Sequence, residues 1–151
     1  AQVDIAANAT RDDKAFAFID GAVLSLETYK GSGSTVLFTT TKMLTSCLLL
    51  KDTTKRRIYN TVTDLAAALM VTEIIVVPVL EGVTGAKGGE LAGIIVDLRD
   101  YNVGADKGGA VNMFEDFDID YNQEKYLIET RCSGALIKPY SAIALEFKVT
   151  A

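Results

Sequence analysis

The chain has 151 residues, 49% apolar and 23% charged, enough for one domain with a real core and unlike a disordered composition. Its net charge of −5 argues against a groove that tracks nucleic-acid phosphates, which needs clustered Lys and Arg. It contains no histidine, which removes the commonest general base, the Ser–His and Cys–His nucleophile pairs, and most zinc and iron sites.

Cys47 and Cys132 lie 85 positions apart and match no metal or redox spacing. They are expected to be free thiols, which mildly favours a reducing compartment. The most apolar run, "LAAALMVTEIIVVPVL" at 65–80, is interrupted by Thr72, Glu73 and Pro78. It is shorter than the roughly 20 apolar residues of a membrane-spanning helix. No charged leader pattern opens the chain. Its first residue is Ala rather than Met, which reads as a chain processed or cut from a longer one.

In chain order, residues 1–13 are small and polar and predict a loose lead-in. In "DKAFAFIDGAVLSLETYK", Phe16, Ile19, Val23, Leu24 and Leu26 recur at roughly helical spacing. Asp12 or Asp13 is the expected cap and Gly31 the stop. "GSGS" is a turn, and the β-branched "TVLFTTT" predicts a short buried strand. Met43, Leu44, Cys47, Leu48 and Leu50 predict a core-packed helix over 41–52. The polar loop that follows carries Lys55, Arg56 and Arg57, a run that reads as solvated surface. "TDLAAALM" opens on Thr63, which can cap a short helix. "EIIVVPVL" reads as a strand, and Pro78, lacking an N–H, places it at an edge or a bulge.

The Gly-rich "EGVTGAKGGELAG" invites comparison with a phosphate cradle. That motif needs Lys, then Ser or Thr, then a helix, whereas Lys87 precedes Gly88 and the next segment, "LAGIIVDL", reads as a strand. A hairpin tip is the better reading. "RDYNVGADKGGAV" is expected as another Gly-bearing polar turn. In "FEDFDIDYNQ", Phe117, Ile119 and Tyr121 alternate with Asp116, Asp118 and Asp120, the period of a half-buried strand.

Three aspartates on one face raise the alternative of a small metal- or ligand-binding domain. The calcium-loop pattern is missing, however, and a strand spreads the three over roughly 13 Å. "EKYLIETRCSGALIKPYSAIALEFKV" predicts two more strands around Gly134 and Pro139. Tyr126, Ile128 and Thr130 alternate with Leu127, Glu129 and Arg131, and the last strand carries Ile143, Leu145 and Phe147 on one side. The order of helices and strands predicts an α+β fold. Nothing in the spacing brings two carboxylates together as an acid–base pair. No catalytic residue, cofactor site or metal ligand is assigned, and the chain is not read as an enzyme.

The succession "AFAFIDGAVLSLETYKG", "TVLFTTTKML", "LLLKD", "RRIYN", "TDLAAALMVTEIIVVPVLEG" and "GIIVDLRDYNVGADKGG" resembles the C-terminal part of tailed-bacteriophage major capsid proteins of the Hong Kong 97 type. The strongest likeness is "FDIDYNQEKYLIETRCSGALIKPYSAIALEF", with its acidic strand, its "YLIETR" strand, its small-residue turn and its "PYSAI" strand. The resemblance covers nearly the whole chain and rests on the order of segments. It implies a mixed or antiparallel sheet flanked by helices, without the family's N-terminal arm, extended hairpin and spine helix. Residues 1–115 would form the axial domain, and 116–151 the strands returning to the peripheral domain.

The implied function is structural: pentamers and hexamers of an icosahedral shell around DNA, in a virion of a phage or prophage made in the bacterial host cytoplasm. Partners would be copies of the chain, with scaffold, portal or decoration proteins, and neither sequence-specific nucleic acid nor a membrane. Self-association is expected at Lys55, Arg56 and Arg57 and at a second loop with Gly82, Gly85 and Lys87. Contacts so polar are small, weak and salt-sensitive, so this piece is expected to be monomeric when dilute.

Overall fold

The computed structural model describes residues 1–105 and 111–150. They fall into two compact units: Ala1–Asp100 with Lys138–Ala151, and Tyr101–Ile137. The fold is mixed α+β, with three α-helices and a mixed sheet among the described residues.

The first unit is a five-stranded sheet in the order β1-β9-β4-β2-β3. Its strands are β1 (Gln2–Ala6), β2 (Val36–Thr39), β3 (Glu73–Val76), β4 (Glu90–Val96) and β9 (Ala142–Thr150). β9 pairs with β4 antiparallel and with β1 parallel, and β2 pairs with β4 antiparallel and with β3 parallel. The expected lead-in is therefore a strand. Val3 and Ile5 alternate inward, a period-two signal over five residues that the polar neighbours obscure. β3 is an edge strand, as Pro78 requires. The proline itself opens a 3₁₀ turn beyond the strand, where its missing N–H costs no ladder bond.

Helix α1 (Arg11–Ser25) starts two or three residues earlier than expected. Thr10, rather than an aspartate, is the cap. Its hydroxyl accepts from the Asp13 N–H, and the Asp13 carboxylate accepts from the Thr10 N–H at 2.9 Å, a reciprocal capping box. The helix ends at Ser25 in a 3₁₀ turn, well before Gly31. Its buried face is Ala15, Phe18, Ile19 and Ala22, while Phe16 and Leu24 are exposed. The small alanines let the helix lie close to the sheet, and at Gly21 a Cβ would come within 2.4 Å of Val3.

Helix α2 (Thr41–Leu48) is capped by Thr40 and buries Met43, Ser46 and Cys47. It stops short of residue 52. Helix α3 (Val62–Ala68) is capped by Thr61, not Thr63, through a second capping box with Asp64. Ile143, Leu145 and Phe147 of β9 are buried on one face, as their alternation predicts. With Phe18, Leu37, Leu65, Leu69 and Ile95 they belong to one continuous core.

The second unit consists of two antiparallel ribbons. β5 (Tyr101–Ala105) pairs with β8 (Cys132–Leu136), and β6 (Asn112–Asp118) with β7 (Gln123–Glu129). Residues 101–105 thus form a strand where a polar turn was expected, and the remainder of that expected turn, 106–110, lies outside the described residues. The expected acidic strand is also cut short. Residues 119–122 are a turn, with Asn122 at φ 50°, so Ile119, Asp120 and Tyr121 do not continue the alternation. Three strands, β7, β8 and β9, follow the turn instead of two.

Candidate functional site

Three polar constellations stand out in the first unit, and one acidic strand in the second. The Lys55 loop is built on Asp52. The Asp52 carboxylate accepts from the backbone N–H groups of Thr54 and Arg56 and from the Thr54 hydroxyl. These bonds, that of Thr54 foremost, hold its carboxyl below the usual carboxylate range. An aspartate at the head of a turn commonly organises it this way. Lys55 takes a left-handed conformation at φ 64°, and Lys51 bridges to Arg57. The result is a tight loop that presents Lys55, Arg56 and Arg57 to solvent.

The Gly82–Gly89 loop is pinned from beneath. The side chain of Glu146, on β9, is buried and accepts from the Lys87 N–H at 3.0 Å. Gly85 donates to the Gly89 carbonyl at 2.8 Å, and Thr84 bridges to Glu90. The loop is therefore a hairpin tip leading into β4, as its sequence suggests. Gly82 lies at one wall of a cleft of about 240 Å³, together with Arg11, Lys14, Lys42, Glu81 and Glu90. Among the described residues no hydrogen bond or ion pair joins this loop to the Lys55 loop.

The third constellation has no counterpart in the sequence reading. Asp97 and Asp100 are 1% and 3% exposed, a burial carboxylates tolerate only when well bonded. Asp97 accepts from the N–H groups of Arg99 and Ser34, at 2.9 and 3.1 Å. Asp100 accepts from the Ser32 hydroxyl and N–H, at 2.6 and 2.8 Å, and pairs with Lys138 at 3.1 Å. Both carboxyls are held below their ordinary range, Asp97 first by the Arg99 N–H and Asp100 first by the Ser32 hydroxyl. Burial and these two charges push the neighbouring Tyr29 hydroxyl up. Asp100 and Lys138 are the last and first residues of the first unit on either side of the second. The cluster therefore clasps the two points where the chain leaves the sheet and returns to it.

In the acidic strand, Asp118 pairs with Lys125 and accepts from the Asp120 N–H in the turn. Asp116 stands opposite Lys125 in the ladder. Among the described residues no three His, Cys, Asp or Glu side chains converge as ligands for one ion. Both cysteines are free. Cys47 is buried, which pushes its thiol up to about 12, and Cys132 is exposed. No helix among the described residues is long and apolar enough to cross a membrane.

No family model matches the chain, and no curated protein matches it.

Proposed function

We propose that the chain is a structural subunit, the axial and terminal-strand portion of a tailed-phage or prophage major capsid protein of the Hong Kong 97 type. It associates with copies of itself into the pentamers and hexamers of a DNA-enclosing shell. The observation that carries this reading is the order of sequence segments, laid over an α+β chain with a mixed sheet.

Within the second unit Met113, Phe114, Phe117, Tyr126, Leu127 and Ile128 are each more than half exposed. Under this reading, the Lys55–Arg57 and Gly82–Lys87 loops face neighbours around the axis. Scaffold, portal or decoration proteins are the further partners, and the virion is the location.

Electron microscopy of the concentrated chain tests the reading. Rings or shell fragments are expected, with no gain in melting temperature on adding calcium. Featureless fields together with calcium-dependent stabilisation would favour the alternative, a small binding domain using Asp116, Asp118 and Asp120.

A further inference from the structure

Two hollows adjoin on the first unit. One is the cleft of about 240 Å³ beside Gly82, between the first turns of α1 and α2 and the start of β4. Its floor is apolar: Met43, Leu91, Ala92 and Phe147 line it and are buried. The other, of about 380 Å³, lies between β1, the Gly88–Gly89 turn and the end of β9. Lys14, Glu90 and Phe147 line both, so the two run into one groove.

The groove is basic in an acidic chain. Arg11, Lys14, Lys42, Lys87 and Lys148 line it against two carboxylates, Glu81 and Glu90, while the whole chain carries −5. Arg11 pairs with Asp12. Among the described residues none of the four lysines is in an ion pair. Like charges gathered without a counter-charge repel one another, and a concave surface focuses their field on whatever anion enters.

The polarity is graded along its length. The apolar floor belongs to the first hollow, whereas the second is lined by Lys14, Lys87 and Lys148 with Glu90 as its one carboxylate among the described residues. The turn that carries Lys87 is held in place, because the buried Glu146 carboxylate accepts from the Lys87 N–H at 3.0 Å. The lysine end therefore exists before any ligand arrives, as small-ligand sites usually do.

We propose that this groove binds a single-chain amphipathic anion, a phosphate or carboxylate head on an alkyl body. The head sits among Lys14, Lys87 and Lys148, and the body lies over Leu91 and Phe147 in the first hollow. Together the hollows fall within the roughly 300–1,000 Å³ of small-ligand sites. A nucleic-acid strand would need an unbroken track of cations, which Glu81, Glu90 and the apolar floor interrupt. The site lies wholly within the first unit and stands independently of the shell reading.

Calorimetric titration of the chain with octyl phosphate, octanoate, inorganic phosphate and octanol tests the inference, with amide chemical shifts locating each probe. The two alkyl anions are expected to bind, and to shift the amides of Lys14, Lys87, Gly89 and Leu91. Hexyl phosphate should bind about tenfold more weakly than octyl phosphate, the effect of two buried methylenes. Lys14→Gln with Lys148→Gln should weaken octyl phosphate about tenfold, the effect of two partly exposed ion pairs. Lys30→Gln with Lys51→Gln, away from the groove, should leave it unchanged. None of these four lysines is buried, so the fold is not at stake, and circular dichroism of each variant checks it.

Inorganic phosphate binding as tightly as octyl phosphate, or octanol as tightly as octanoate, would overturn the amphipathic ligand. Equal loss in both lysine pairs, shifts confined to other residues, or no binding of any probe would overturn the site. Binding to phosphatidylglycerol vesicles with none to the free probes would assign the lysines to a membrane surface and overturn it as well.

Discussion

Leu145→Ala is expected to destabilise the chain by about 2–5 kcal/mol, the cost of a leucine-sized cavity in a packed core. Leu145 is completely buried in β9, which pairs with both β1 and β4. Two features place the value in the upper part of that range. The residue directly across the ladder is Gly93, which has no side chain to relax into the space. A Cβ there would already stand 3.3 Å from Phe18 and 3.2 Å from Leu37, so the surroundings are tightly packed and collapse poorly. Leu24→Ala, on the exposed side of α1, is the control and should cost no more than about 0.5 kcal/mol. Urea denaturation followed by circular dichroism separates the two. Similar midpoints would mean that the β9 face is not the centre of the core.

Gly89→Ala is expected to cost about 1–3 kcal/mol, the usual range for overpacking. A Cβ at Gly89 would lie 2.3 Å from the carbonyl oxygen of Phe147, a backbone atom of β9 that cannot step aside. It would also crowd the stem of Glu146, whose carboxylate holds the Lys87 N–H. Relief requires the loop to lift off β9, so the variant should also lose protection of the 82–89 loop against proteolysis. Gly88→Ala makes the comparison informative. Gly88 has φ 84° and open space around its Cβ position, so its cost is conformational strain alone and the loop should stay seated. Faster cleavage in Gly88→Ala than in Gly89→Ala would contradict the close approach of this loop to β9.

Much of the first unit is legible in the sequence because its strands and helices bury one face each. Ile143, Leu145 and Phe147 announce β9 by alternation, and Pro78 announces an edge. The errors have physical causes. In α1 the large residues Phe16 and Leu24 suggested the wrong face, because the helix packs close to β1 through Ala15, Ala22 and Gly21, and small residues give a weak apolar signal. The caps moved to Thr10 and Thr61 because a capping box needs an acidic partner three residues on. Asp13 and Asp64 supply it, whereas Thr63 has Ala66 at that distance.

The clasp of Ser32, Asp97, Asp100 and Lys138 was illegible because its members are up to 106 residues apart, and a buried carboxylate reads like a surface one in sequence. The second unit shows the opposite failure. Its alternation is genuine within the strands, but period two records an extended backbone and not burial: Met113, Phe117, Tyr126 and Ile128 are all exposed. Asn122 in the left-handed region closes the β6–β7 turn, and an asparagine there was the available sign that "FDIDYNQ" bends rather than runs straight.

The central claim is that copies of the chain associate with one another. Hydrogen exchange of the backbone amides, measured on dilute and on concentrated protein, tests it most directly. The account predicts that amides of the 53–58 and 82–89 loops exchange quickly in dilute solution and slow with rising concentration. Exchange in both loops that stays the same at every concentration would contradict it.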